Sequence, residues 1–228
     1  MKNYKKLFFD IDDTLLNFKA AEKVALPKVF AHYNFPLTET VEMKYREINR
    51  ALWDQLERGE VTREELHERR FKETFEFFGR QVNGSEMDQA YRNFLVETIV
   101  LVDGAEEVLR KLATSYELYI VTNGICETQH KRLQAANLTS YFKEIFVSEQ
   151  TGFQKPQIQF FNYVFQHIGD VEKEECLIIG DSYSADMIGG KNAGIDTCWF
   201  NPYNNQRTVS YQPTYEIKCL KDLLHIVE

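Results

Sequence analysis

The sequence predicts an α/β protein: a parallel sheet with helices on both faces, interrupted after its first strand by a long helical insertion. Three observations carry this expectation. Outside residues 18–100, short apolar runs alternate with segments of helical period. Those apolar runs are continuous, as suits strands buried on both faces. Within 18–100, every segment repeats apolar residues at three-to-four spacing and none reads as a strand.

The elements follow in order. KKLFF is the first strand. AAEKVALPKVFAHY, TETVEMKYREINRALWDQLERG, TREELHERRFKETFEFFG and SEMDQAYRNFLVETI are then helices, with Gly59, Gly79 and Gly84 at their seams. Thr62 followed by Glu65 predicts a capping box. Trp53, Phe71, Phe75 and Phe78 fall on helical faces and are expected in the core of this block, whereas Arg69 and Arg70 are expected at its surface. Beyond it, DGAEEVLRKLATS is a helix, ELYIVT a strand, CETQHKRLQAAN a helix and EIFVS a strand. PQIQFFNYVFQHIG is a helix with Pro156 in its first turn and Gly169 at its end. ECLIIG is a strand, SADMIGGKNAG a helix and IDTCWF a strand. Strands joined by helices imply right-handed crossovers and a Rossmann-like parallel sheet. The expected division is an α/β core of residues 1–16 plus 100–228 and an α-helical cap of residues 17–99.

Composition narrows the function. The formal charge of -8 argues against a nucleic-acid polymer as partner. No apolar run approaches a membrane span, and acids break the apolar part of MKNYKKLFFDIDD too early for a signal peptide. Cys126, Cys176, Cys198 and Cys219 are far apart, which predicts reduced cysteines and a cytoplasmic protein.

Ligands of an open parallel sheet bind beyond the carboxyl ends of its strands. The first strand delivers DIDDT there, three acids within four positions: Asp10, Asp12 and Asp13. ELYIV delivers Thr122, Asn123 and Gly124. EIFVS delivers Ser148 and Glu149, followed by a loop bearing Lys155, and ECLIIG delivers Asp181, with Asp186 a turn later. Asp10 and Asp181, with an oxygen from the loop, suit a hard divalent cation, magnesium above all, and such an ion would neutralise clustered acids and draw in a phosphate. Asp10 could attack phosphorus, and Asp12 could protonate the leaving alcohol and later deprotonate water. Thr122 and the Asn123 main chain could donate to phosphate oxygens, and Lys155 could balance charge on the transferring group. Asp13 reads as a solvated loop acid, and Asp186 could instead cap its helix.

DIDDT, VTNG, the lysine of KP and GDSYSAD, in that order and each at a strand end, resemble the four motifs of the haloacid dehalogenase (HAD) superfamily. The resemblance covers residues 1–16 and about 100–200, and the insertion is similar to that family's helical cap. It implies a magnesium-dependent phosphomonoesterase with Asp10, Asp12 and Lys155 catalytic. Thr122, Asn123 and Lys155 would hold the phosphate, Asp10, Asp12 and Asp181 the metal, with support from Thr14, Gly124 and Asp186. Dehalogenases of the family typically lack an acid where Asp12 stands, so its presence favours phosphoryl transfer. ETGFQKP, GGKNAG, IDTCWFNP and the cap stretch LWDQLERGEVTREELHERRF further resemble the pyrimidine 5′-nucleotidase (YjjG-like) branch, which implies a small phosphorylated metabolite, a nucleoside 5′-monophosphate, as substrate. A sugar-phosphate or phosphoglycolate phosphatase and a phosphomutase are the enzymatic alternatives; a receiver-like regulatory domain is the non-enzymatic one. The two links between core and cap, near Leu16-Asn17 and Val100-Asp103, are candidate hinges.

Overall fold

The computed structural model describes residues 2–169, 171–207 and 210–227. The chain forms two compact units, one of Met1–Phe18 with Ile99–Glu228 and one of Lys19–Thr98.

The first unit is built on six parallel strands: β1 (Lys6–Phe9), β2 (Glu117–Thr122), β3 (Glu144–Val147), β4 (Cys176–Gly180), β5 (Asp196–Phe200) and β6 (Tyr215–Ile217), ordered β3-β2-β1-β4-β5-β6. Successive side chains of a strand point to opposite faces, and here both faces are buried. Leu7, Phe9, Leu118, Ile120, Leu177 and Ile179 pack with Val108, Leu109 and Leu112 of one helix, Ala105–Leu112. Phe8, Tyr119, Val121 and Ile178 pack on the other face with Phe160, Phe161 and Val164 of another, Ile158–Ile168. This double burial is why the runs are continuously apolar. Phe9 is in register with Ile120 and Ile179, so the residues just past β1, β2 and β4 emerge at one edge.

Two expectations need correction here. Pro156 does not open the helix Ile158–Ile168. It lies in a tight turn in which Gln157 N donates to Gln154 O (2.7 Å) and Gln154 N to Gln157 Oε1 (3.1 Å), and the helix starts only after that turn. The segment after β4 is not one regular helix: a wide π-type turn, Tyr183–Met187, precedes Ile188–Ala193. The sequence reading also passed over β6, the short helix Ser148–Thr151 and the helix Asp222–Val227. The segments flanking the second unit meet each other within the first: Asn17 N donates to Val100 O (2.8 Å) and Val102 N to Leu15 O (2.9 Å).

The second unit has four helices, numbered in chain order: α1 (Phe18–His32), α2 (Glu39–Glu57), α3 (Arg63–Phe77) and α4 (Gly84–Glu97). Its core is aromatic, with Phe30, Tyr45, Phe71, Phe75 and Tyr91 fully buried and their rings in mutual contact. Thr62 and Glu65 form the capping box at the start of α3. Arg69 is partly exposed beside Glu73, but Arg70 is buried, against expectation. It lies four residues after Leu66 and four before Thr74, on the buried stripe of α3. Its guanidinium stacks over Tyr91 (4.8 Å) and donates to Asp88, whose carboxylate also takes Arg92 Nε (2.7 Å) and faces His67 Nδ1 (3.2 Å). Burial alone would raise the Asp88 carboxyl; Arg70, His67 and Arg92 outweigh it and hold the group well below the usual range. No helix among the described residues is long and apolar enough to cross a membrane.

Candidate active site

The edge beyond β1, β2 and β4 gathers the charged residues. Carboxylate oxygens of Asp10, Asp181 and Asp186 all lie within 4.8 Å of one another. Asp10 N donates to Ile179 O (3.0 Å), which continues the β1–β4 pairing one residue past the strand and fixes where the Asp10 side chain starts. Asp181 is fixed through its own carbonyl, which accepts from Trp199 Nε1 (2.9 Å).

Lys155 enters this group from the turn described above and is 1% exposed. Its Nζ donates to Asp10 Oδ1 (2.7 Å), Asp186 Oδ1 (2.6 Å) and Val121 O (2.7 Å), three acceptors for three ammonium hydrogens. Burial by itself would lower its pKa; the carboxylates of Asp10 and Asp186 outweigh that and raise it, so the lysine stays charged. Asp10 is subject to the opposite balance. Burial pushes its carboxyl up, Lys155 pulls it down, and Asp186 and Asp12 push it up again, to about 7. Asp10 and Asp186 share one ammonium with the Asp181 carboxylate close by, and a cluster of acids of this kind is what a hard divalent cation would neutralise.

Asp186 serves two structures at once. Its Oδ2 accepts from Ser182 N (3.0 Å) while Ser182 Oγ accepts from Ala185 N (3.2 Å), a reciprocal cap on the turn; its Oδ1 faces Lys155. Gly180 makes room for it, since a Cβ there would lie 2.1 Å from Asp186 Oδ2.

Other expected residues are placed differently. The Asp12 carboxylate lies outside the Asp10–Asp181–Asp186 group: Oδ1 accepts from Arg132 Nη1 (2.5 Å) and Oδ2 from Gln129 Nε2 (2.7 Å). The Asn123 side chain is committed to the lysine loop, with Nδ2 donating to Lys155 O and Oδ1 accepting from Lys155 N, both at 2.9 Å. Thr122 is buried, and its Oγ1 accepts from Gly124 N and Gln129 Nε2, both at 3.2 Å. Gly124 has a steric role: a Cβ there would lie 2.4 Å from Gln129 Nε2. Thr14 is fully buried, with Oγ1 lacking a hydrogen-bond partner among the described residues. Asp13 adopts φ 56° and donates its N–H to Leu16 O (2.7 Å), a left-handed turn position that aspartate tolerates, so it shapes the loop.

Sequence reasoning missed Gln129 and Arg132, and it brought Glu149 to the edge without giving it a role. Gln129 and Arg132 are 1% and 2% exposed, three residues apart on the helix Cys126–Ala135 and thus on one face with Leu133. Polar residues on the apolar stripe of a helix were the available signal. Glu149 Oε2 accepts from Cys126 N (2.6 Å) at the start of that helix, where a carboxylate complements unpaired amides.

The sequence profile of the haloacid dehalogenase-like hydrolases matches residues 7–200. The chain belongs to that family. It is 47% identical to YfnB of Bacillus subtilis, a HAD-hydrolase by name, over all of this chain and 97% of that protein. The pyrimidine 5′-nucleotidase PynA of Streptococcus pneumoniae is 40% identical over 99% of this chain and 95% of its own. The pyrimidine 5′-nucleotidase YjjG of Escherichia coli is 29% identical over 95% of each. The crystal structure of YfnB bound to magnesium superposes with a TM-score of 0.94 over the whole of both chains, at 46% identity. Membership of a hydrolase family sets aside the receiver-like alternative, a regulator that would retain its aspartyl phosphate.

Proposed function

We propose that this HAD hydrolase is a magnesium-dependent phosphomonoesterase working through an aspartyl phosphate on Asp10, with nucleoside 5′-monophosphates as substrates. The observation that carries the chemistry is the division of the acids. Asp10 shares Lys155 with Asp186 beside Asp181, while Asp12, two residues on, is held apart by Arg132 and Gln129. In this reading one carboxylate meets phosphorus and the other moves protons.

Asp10, Asp181 and Asp186 would hold the ion with an oxygen from the loop, while the Asp12 carboxylate is engaged by Arg132 and Gln129. The bound cation supplies charge neutralisation for the acids and a Lewis acid for the phosphoryl oxygens. An Asp10 carboxylate oxygen forms the new bond to phosphorus as the bond to the leaving oxygen breaks, and Asp12 gives that oxygen its proton. Water then attacks the phosphoryl group, Asp12 takes its proton, and inorganic phosphate leaves with Asp10 restored. Lys155 stabilises charge on the transferring group, and Asn123 serves as a strut for Lys155. Nucleotide selectivity is supported by the relatives PynA and YjjG. Selection is assigned to the helical unit as a cap, because every residue with a role in the chemistry lies in the α/β unit.

Release of phosphate from a panel of phosphomonoesters, with magnesium and with EDTA, tests the reading, together with acid-quench trapping of the phosphoenzyme in wild type and Asp10→Asn. Magnesium-dependent release that prefers nucleoside monophosphates, and a phosphoenzyme that disappears in the variant, are the expected results. Substitution of Trp53 by alanine should reorder the substrate ranking while sparing a small aryl phosphate. The buried Arg70 is unsuitable for this purpose, because its loss strands Asp88.

A further inference from the structure

The Asp12 carboxylate, the Thr122 hydroxyl and two buried side chains of the helix Cys126–Ala135 form one directional hydrogen-bond chain. Arg132 Nη1 donates to Asp12 Oδ1 (2.5 Å) and to Gln129 Oε1 (2.9 Å). Gln129 Nε2 donates to Asp12 Oδ2 (2.7 Å) and to Thr122 Oγ1 (3.2 Å). A guanidinium can only donate, so Gln129 must turn its oxygen to Arg132 and its amide nitrogen to Asp12 and Thr122. The reverse orientation would set oxygen against carboxylate. Arg132 is itself fixed, with its guanidinium over the Phe18 ring at 5.6 Å.

The polarity of this chain has a consequence at Thr122. Its Oγ1 already accepts from Gln129 Nε2 and Gly124 N, so both lone pairs are engaged and the hydroxyl hydrogen is left to act as a donor. Gly124 leaves room for the Gln129 side chain, because a Cβ there would lie 2.4 Å from Gln129 Nε2.

We propose that Gln129 and Arg132 are positioning residues for the reaction, aiming the Asp12 carboxylate at the leaving oxygen and turning the Thr122 hydroxyl toward the substrate phosphate. This rests on the reading of Asp12 as the group that protonates the leaving oxygen. One side chain, Gln129, thereby keeps the proton-transfer group and the phosphate-binding group in fixed register, where an error of about 1 Å can cost on the order of 10²-fold in rate.

The test uses two aryl esters, phenyl phosphate with a poor leaving group and para-nitrophenyl phosphate with a good one, so it does not depend on the physiological substrate. The variants are Gln129→Met, the isosteric Gln129→Glu, Arg132→Met and Arg132→Lys, alone and combined with Asp12→Asn. For Gln129→Met and Arg132→Met, kcat/KM should fall about 10²-fold on phenyl phosphate and no more than about tenfold on para-nitrophenyl phosphate. With the good leaving group, kcat should fall more than kcat/KM, because breakdown of the phosphoenzyme still needs the base. Gln129→Glu should be worse than Gln129→Met, Arg132→Lys should recover part of the loss, and in an Asp12→Asn background each change should cost much less, keeping only the smaller part that acts through Thr122. Circular dichroism checks folding, and if Arg132→Met does not fold, the Gln129 pair and Arg132→Lys carry the test. Equal losses on both esters, or losses that multiply with that of Asp12→Asn, overturn the proposal and mark the two residues as merely structural. An Asp12→Asn variant with no leaving-group selectivity overturns the acid role of Asp12 and the proposal with it. A selective Asp12→Asn beside unselective Gln129 and Arg132 variants overturns the proposal alone.

Discussion

Replacing Asp10 by asparagine tests the charge balance of the site independently of its chemistry. The side chains match in size, and asparagine Oδ1 can still accept from Lys155 Nζ. What changes is charge: of the two carboxylates that share Lys155 beside Asp181, one becomes neutral. Burial first, then Asp186 and Asp12, push the Asp10 carboxyl up against the pull of Lys155, from 3.8 to about 7. A carboxyl whose pKa rises on folding binds its proton more tightly in the folded chain. Its contribution to stability is therefore full below the unfolded value and is lost as pH rises through about 7. At about 1.4 kcal/mol per pH unit over that window, metal-free wild type should lose up to roughly 4 kcal/mol. Asparagine has no such proton to lose, although Lys155 gives up one of its anionic partners in the exchange. The net gain for Asp10→Asn above neutral pH is then about 1–2 kcal/mol, or roughly 2–8 °C in Tm. Thermal melts by circular dichroism in EDTA, across a pH series from about 4 to 8, read this directly. Wild type should weaken as pH rises, the variant should stay nearly level, and phosphate release by the variant should vanish. A variant that melts below wild type at every pH would refute the charge argument, and one that keeps normal turnover would refute Asp10 as nucleophile.

Further expectations concern Asp186 and Asp88. Gly180→Ala would place a methyl 2.1 Å from Asp186 Oδ2, forcing that carboxylate away from Lys155; magnesium affinity should drop about tenfold or more, and a titration showing wild-type affinity would remove Asp186 from the metal set. Asp88→Asn leaves the buried Arg70 without its carboxylate and should destabilise the helical unit by about 3–5 kcal/mol, read as loss of amide-exchange protection in residues 19–98. Because the Asp88 carboxyl is held low in the folded chain, its stabilisation is present above the ordinary carboxyl range and fades as pH falls below it. Wild type should accordingly lose helical-unit stability below about pH 4, while Asp88→Asn should respond less in that range; matching acid profiles would contradict the pairing.

The parts of this structure legible in the sequence were those where an apolar run stops abruptly. LFF ending at Asp10 and LIIG ending at Asp181 announce buried strands that deliver acids to one edge, and the parallel register brings those ends side by side. Lys155 was legible only through its company, since a lone lysine before proline reads as a surface charge. Gln129, Arg132 and Arg70 were not legible, for a common reason. Each is a polar residue on the buried stripe of a helix, and what makes it tolerable there, Asp12 or Asp88, comes from another part of the chain. Asn123 was assigned to the phosphate through its main chain, and nothing in VTNG discloses that its side chain is already occupied by both main-chain polar groups of Lys155.

The central position of β1 has a bearing on biosynthesis. Lys6–Phe9 lies between β2 and β4, and the in-register partners of Lys6 are Glu117 and Cys176. A ribosome releases the strand ending at Phe9 long before either neighbour exists. At roughly 5–20 residues per second, the wait for β4 is on the order of ten to thirty seconds. Until β2 emerges the apolar LFF segment and the acids after it have no strand to pair with, whereas the unit Lys19–Thr98 is contiguous in sequence. Pairing at such sequence separation is slow in its own right, because loop closure must precede any reward from contacts. The nascent chain thus carries its candidate nucleophile on a strand that has no partner until β2 is made and only one until β4 is made, and the acids at positions 10, 12 and 13 put charge directly beside that apolar segment, the kind of flank that disfavours aggregation.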